Sequence, residues 1–389
     1  MDPEKNDFLA LIQEGDKLEA SLSSRTKRIA GFDEALTKFV ELLANKAGYR
    51  RSIHMALLKE AETTSDFPLM FGTVLERTLL AKYQIAKPDW RAYCGVGTQN
   101  DFRAANAFGV FGLQGNLAVV KERGEYKADK LAEGRFAIQL QKFGKRFPIS
   151  WEAMINDDLG AFSDVAERLA NAALRTEFFQ ATKLFVSATG PNTTLFQTGG
   201  VHPIDGTAFT NIGTLPLSGD NLAATITAMK QQKDADGEPI IINRFHLVTP
   251  VALEYKALQV LSQNLLIASA LGSVSAADTR TSENVIAKYP ITAHANPYLD
   301  IIDTEDPATT WYVFADPAQD GLAMKMNFLR GRENPEIVQK MSDKISLGGA
   351  AISPLEGDFE SDSAQWRVRH ILGGTQLDPR FAYAQQAES

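Results

Sequence analysis

The sequence predicts a mixed α+β chain, and three observations carry that prediction. Apolar residues recur at helical spacing near the N-terminus and again between about residues 162 and 186. Polar and apolar residues alternate from about Leu117 to Ile149. The last third sets one strand-like segment after another with few helical patterns between them. With 389 residues the chain is long enough for two packed units or one elongated one.

Residues 1 to about 62 are rich in Glu, Lys, Leu and Ala, and Phe32, Leu36, Phe39, Val40, Leu43 and Ala47 fall at helical spacing. Their apolar stripe is narrow and the remaining surface strongly charged. This suits a helix docking on another subunit or a partner, and equally one packed on its own domain. Thr64-Ser65-Asp66-Phe67-Pro68 then forms a cap-like cluster ahead of an amphipathic helix from about Gly72 to Tyr83, which ends before Pro88.

The segments Lys121–Lys127 and Arg135–Phe143 alternate polar and apolar residues around Gly134, the pattern of a long charged hairpin. A two-stranded ribbon is marginal by itself in water, so such a hairpin needs another surface to lie on, and its charges can pair across a subunit boundary. The alternative is a hairpin at the edge of the protein's own sheet, with charges guarding that edge.

A long helix follows, in which Val165, Leu169, Ala172, Thr176 and Phe179 recur every three or four residues and Asp164 with Glu167 makes an Asp-x-x-Glu variant of the capping box. Some ~22 residues at ~1.5 Å each would span roughly 33 Å. Asn156, Asp157 and Asp158 precede it. Carboxylates in that place complement the helix dipole and its terminal N–H groups, which explains them better than a catalytic or metal-binding pair.

From Ser187 to Ser218 the composition shifts to Gly, Thr, Asn and Pro, so loops and short strands are expected. A helix from about Gly219 to Lys233, with Leu222, Ile226 and Met229 on one face, leads through a turn at Asp234–Gly237 to a strand at Pro239–Ile242. An EF-hand reading of that turn fails, because aligning Gly237 with the sixth loop position puts Gln232 first and Asn243 last, where carboxylates are needed. Phe245–Thr249 reads as a strand stopped by Pro250, and Ala252–Leu258 as a helix. Strands follow at Tyr289–Ala293, Trp311–Ala315 and Gln365–His370, with Asp378-Pro379-Arg380 near the end.

Composition excludes several classes. The chain is 44% hydrophobic and 23% charged, and nowhere do ~18 apolar residues run uninterrupted, so no membrane span is expected. Met1–Asp7 is mixed in charge with no apolar segment behind it, unlike a signal peptide. Cys94 is the single cysteine, which excludes an intramolecular disulfide and a multi-thiolate metal site and reads as a small buried hydrophobe. A formal net charge of -8 argues against a protein that grips phosphate backbones, so any contact with nucleic acid is expected to be loose.

Catalytic motifs are lacking. His54, His202, His246, His294 and His370 are dispersed, with no HExxH or paired ligand spacing, and read as structural. No GxSxG or Walker-type loop occurs, and Gly95-Val96-Gly97 lacks the third glycine of a dinucleotide site. No catalytic residue, cofactor or metal is therefore expected, although a site assembled from distant residues leaves a soluble enzyme as a rival reading.

The run Phe147–Phe162, containing Ile149-Ser150-Trp151-Glu152 and Ile155-Asn156-Asp157-Asp158-Leu159-Gly160, closely resembles the start of the spine helix of phage major capsid proteins, in the Mu-like major head subunit family. Further motifs agree in order: Thr64–Pro68 with Tyr83, Trp90-Arg91 and Asn100-Asp101-Phe102 are similar to that family's N-terminal arm. Phe245–Pro250 with Ala252-Leu253-Glu254 resembles its axial domain, and the segments at Tyr312–Pro317 and Trp366–His370 resemble the return into its peripheral domain. The likeness spans roughly residues 62 to 384, while residues 1 to 61 carry no comparable signature and no cleavage signal.

The resemblance implies a phage major-capsid fold: an N-terminal helical extension (1–61), an arm (62–113), an extended β-hairpin loop overlapping a neighbour (114–149), a spine helix and peripheral domain (150–218), an inserted α/β axial domain (219–325) and a return to the peripheral domain (326–389). It implies a subunit that assembles with itself into hexamers and pentamers of an icosahedral head holding double-stranded DNA. Portal, scaffold and decoration proteins would be partners, with assembly in the host cytoplasm. Ring contacts of that kind are heterologous, and curvature lets them close. The hairpin charges Lys121, Glu122, Arg123, Glu125, Lys127, Lys130 and Glu133 become interface candidates, with a solvated face as the alternative. Lys130 and Lys142 have no identifiable asparagine partner, so no crosslink is assigned. A cellular nanocompartment shell of the same fold, enclosing a protein cargo, is the rival within the fold.

Overall fold

The computed structural model describes residues 79–80, 83, 89–111, 132–150, 159–203, 206–234, 237–262, 265–268, 280–318, 321–344 and 358–387. In chain order the principal elements are β1 (Ala105–Phe111), β2 (Ala132–Ile138), β3 (Gln141–Ser150), α1 (Leu159–Lys183), α2 (Gly219–Lys230), β4 (Phe245–Thr249), α3 (Val251–Ser262), β5 (Ile291–Ala295), β6 (Trp311–Ala315), β7 (Glu336–Gln339), β8 (Ser363–Gln376) and β9 (Ala382–Gln385). Helix and sheet are mixed along the chain, as the sequence predicts. Among the described residues no helix is long and apolar enough to cross a membrane.

Two compact units result. The first holds Gln141–Glu177 and Leu329–Leu372 together with the described residues ahead of Lys87; the second holds Pro88–Leu140, Phe178–Phe328 and Gly373–Ser389.

In the first unit β8 is central, pairing antiparallel with β3 from Ser363↔Ser150 to Leu372↔Gln141 and with β7 from Glu336↔Arg369 to Gln339↔Trp366. Side chains alternate across this sheet. One face carries Phe147, Ile337 and Val368, which pack with Leu79, Leu169 and Ala170 into a core. Phe147 stacks on Trp366 with ring centroids 5.6 Å apart. Gly144 is required where β3 meets β8, because a Cβ there would stand 2.7 Å from the Val368 carbonyl oxygen.

The helix α1 has 25 residues, which at ~1.5 Å each makes a rod of roughly 37 Å. It is already helical at Leu159, so Asp164 and Glu167 lie inside it and the predicted capping box does not start it. Its buried face is also rotated from the predicted one: Leu169, Ala170, Ala173 and Glu177 are buried, while Ala172 and Thr176 are only half-buried. The Thr176 hydroxyl donates to the Ala172 carbonyl at 2.7 Å, so its polar atom is satisfied within the helix. The rotation follows from placing Glu177, a residue that hydropathy alone assigns outside, at the centre of the packed side.

In the second unit the sheet runs β5, β4, β6, β9 and a short strand at Ile212–Gly213. β4 is parallel to β5 and antiparallel to β6, β6 is antiparallel to β9, and β9 is parallel to the short strand. All five residues of β6 are buried, as a continuous Trp-Tyr-Val-Phe-Ala run demands of a strand covered on both faces. On one side α2 places Leu222, Ile226 and Met229 against Phe245, Leu247, Trp311 and Val313. On the other, Phe185 meets Tyr312 and Phe314 edge-on at 5.0 and 5.1 Å, and Tyr93 stacks on Phe314 at 5.4 Å.

The hydroxyl of Ser218 accepts the Asn221 N–H at 3.2 Å and caps α2. The predicted strand at Pro239–Ile242 does not form. Pro239 makes only an isolated bridge to Lys233 across the turn, in which Gly237 takes φ +81°, and Ile241 is 77% exposed. Proline has no N–H to give a ladder, so regular pairing waits until Phe245.

Candidate assembly surfaces

β1 and β2 form a separate two-stranded antiparallel ribbon, from Ala105↔Ile138 through Gly109↔Gly134 to Phe111↔Ala132. Glu133 lies in it opposite Val110. Lys121, Glu122, Arg123, Glu125, Lys127 and Lys130 fall outside the described residues, as do Asn156, Asp157, Asp158, His54 and the N-terminal helix expected over residues 1 to 62.

The sequence pairs Arg135–Phe143 as one arm of a hairpin. The structure divides that stretch at Gln139 and Leu140, where Leu140 turns inward and is buried, so that residues before it join β1 and residues after it join β8. Gly134 sits within the ribbon and not at its turn.

The three histidine-containing clusters are what the sequence leaves hidden. In the first unit the fully buried Glu177 accepts from the Tyr83 hydroxyl and meets His370 Nε2 at 2.8 Å, so Tyr83, α1 and β8 share one carboxylate. In the second, Asp378 and Arg380 are both buried; the guanidinium reaches Asp378 through Nε at 2.9 Å and Nη2 at 2.7 Å, while Nη1 donates to the Lys233 carbonyl at 3.3 Å. His202 Nε2 lies 3.7 Å from the same carboxylate.

The remaining cluster joins neighbouring strands. His246 on β4 and His294 on β5 bring Nδ1 and Nε2 to 3.0 Å, a diagonal contact in the parallel register that sets His246 opposite Thr292. Burial lowers both imidazoles below their ordinary value of 6.5; His294 and Arg244 lower His246 further against the opposing pull of Asp316, and Asp89 opposes the shift at His294. Groups held below their unfolded value leave stability intact above pH of about 6.5 and lose it as pH falls through the folded values. The thermal midpoint of the subunit should therefore drop between pH 7.5 and 5 more steeply in the wild type than in His294→Gln. Parallel pH profiles for the two proteins would remove this pair as the cause.

Cys94 is buried, its thiol facing the Gly95 carbonyl at 3.6 Å, and burial pushes its pKa up. This matches the small-hydrophobe reading. Among the described residues no group of three or more His, Cys, Asp or Glu side chains is arranged to hold a metal ion.

A family model described as phage capsid protein matches residues 134–385, from β2 through both sheets to the end of β9. No curated protein matches the chain. Among solved structures it is similar to the capsid of cyanophage P-SCSP1u at 15% identity, covering 78% of this chain and 89% of that one with a TM-score of 0.46. It is similar also to the capsid of Ralstonia phage GP4 (11% identity, 76% and 87% covered, TM-score 0.46) and to that of a native GTA particle (11%, 78% and 92%, TM-score 0.46).

Proposed function

Because the chain belongs to the phage capsid protein family, we propose that its work is done by surfaces that meet further copies of itself, and that it carries no catalytic site. It is a major capsid protein, a subunit of the phage head shell. The copies form hexamers and pentamers of an icosahedral head, assembled in the host cytoplasm and closed around double-stranded DNA that touches them loosely. Scaffold, portal and decoration proteins are the partners, and the Mu-like branch of the family is the one that the sequence motifs resemble. Within the subunit, residues 62–113 are the arm, 114–149 the overlapping loop, 150–218 and 326–389 the spine and peripheral domain, and 219–325 the axial domain.

The observation that supports this most directly, beside the family match, is the ribbon of β1 and β2. It pairs with no third strand among the described residues, and a two-stranded ribbon is marginal in water unless something covers it. A neighbouring copy supplies that cover, and many modest contacts of this type act together in a closed shell. Size-exclusion chromatography with electron microscopy of the purified protein should give rings, sheets or closed shells. A subunit that stays monomeric at high concentration would sink the proposal. Nuclease-protected DNA in native particles, as against a packaged protein, separates the phage head from a nanocompartment.

A further inference from the structure

The open face of the first unit's sheet sets like charges together. Arg146 on β3 stands directly opposite Arg367 on β8, both are exposed, and Val338 on β7 completes the row at 38% exposure. Exposed Lys142 extends the positive strip along β3. Like charges directly opposite on paired strands destabilise a sheet. Among the described residues no carboxylate reaches Arg146, Arg367 or Lys142, although Arg369, two positions along β8, is paired with Glu336. In a chain with 48 acidic residues against 40 basic ones, such a basic row is suited to an acidic occupant.

The same unit presents a surface of complementary kind. Phe359 projects from a turn at 80% exposure, and beside it stands Glu360, exposed and without an ion-pair partner among the described residues. The turn is fixed in advance. Asp358 Oδ1 accepts from the Ser361 N–H at 3.0 Å and hydroxyl at 2.7 Å, its Oδ2 accepts from Gln365 at 2.5 Å, and Asp343 accepts the Phe359 N–H at 2.8 Å. The Ser361 hydroxyl above all, with the backbone N–H groups, holds the Asp358 carboxyl down at about 2. Asp362 closes the turn at φ +45° with its carboxylate on Lys344. The network stabilises the turn, but the 80% exposed Phe359 side chain that it holds out gains no apolar burial within the subunit. It is the form of a preorganised anchor, whose ordering entropy is already spent before contact.

We propose that the Phe359-tipped acidic turn of one subunit docks on the Arg146–Arg367–Val338 row of the next, Phe359 covering Val338 and Glu360 facing the paired arginines. The two patches differ, so the contact is heterologous, as a ring or shell requires. This rests on the shell reading above and deepens it by naming one contact and its partner, a second copy of this chain.

The test is a charge swap. Arg367→Glu converts the like cross-strand pair into an opposite one with Arg146, so the subunit should stay folded by circular dichroism. It should raise the concentration needed for assembly by about tenfold or more, a factor that corresponds to about 1.4 kcal/mol at each contact. Glu360→Arg should do the same, the double variant Arg367→Glu/Glu360→Arg should recover wild-type assembly, and Phe359→Ser should weaken assembly without a swap to rescue it. Normal assembly of either single variant overturns the proposal, and so does a folded double variant that fails to recover. Shells that form normally from Arg367→Glu but hold less DNA would assign the row to nucleic acid and overturn it as well. A wild type that never assembles overturns the shell reading and this contact together; failure confined to the variants' predictions removes the contact alone.

Discussion

Asp378→Ala should cost the second unit about 3–5 kcal/mol, the usual result of deleting one partner of a buried ion pair. Arg380 is 2% exposed and Asp378 4%, so water does not replace the missing carboxylate. The Nη1 contact with the Lys233 carbonyl, at 3.3 Å, is to a neutral acceptor and does not replace the lost negative charge. The same substitution removes the acceptor of the Arg380 backbone N–H, at 2.9 Å, which starts the short helical turn leading into β9. β9 is paired to β6 and to Ile212–Gly213, so loosening that turn reaches the centre of the sheet. Urea unfolding of the unassembled subunit measures the loss. Asp378→Leu combined with Arg380→Met should recover most of it, because an apolar pair of similar volume removes the desolvation cost of the buried guanidinium along with its carboxylate. A single-variant loss below about 1 kcal/mol would mean that the pair acts as an exposed one.

Elements whose signals are local were legible in the sequence. The apolar triplet Leu222, Ile226 and Met229 fixed both the presence of α2 and the face it buries, and the strands at Phe245–Thr249 and Trp311–Ala315 fell where β-branched and aromatic residues cluster between breakers. What depended on distant partners was not. The α1 face turned by one position because Glu177 finds His370 and Tyr83, residues 193 and 94 positions away. His246 and His294 lie 48 positions apart, and only the parallel register of β4 and β5 makes them a pair. The division of Arg135–Phe143 at Leu140 was hidden for a related reason. Alternation reports that a stretch is extended, and it carries no information on which strand takes each half.

The same limit frames the charged hairpin. Six of its seven candidate residues fall between β1 and β2, and Glu133 alone lies within the paired strands. The pair Phe111↔Ala132 therefore marks where a cut leaves the ribbon intact. Replacing residues 112–131 by Asn-Gly joins that pair through a two-residue turn whose twist suits an antiparallel ribbon. Six of the seven candidate charges are removed, while both cores, the pairing of β8 with β3 and β7 and the five-stranded sheet of the second unit are left as they are. The variant should fold, with an unfolding midpoint close to that of the wild-type subunit, and should form no closed shells. The expected effect is large because every copy would be missing the segment that crosses to its neighbour, and a defect present in each subunit is multiplied over the whole shell. Circular dichroism separates folding from assembly, and negative-stain microscopy counts particles. Shells at wild-type yield would show that residues 112–131 lie on their own subunit or in water, and the overlapping-loop reading would end there.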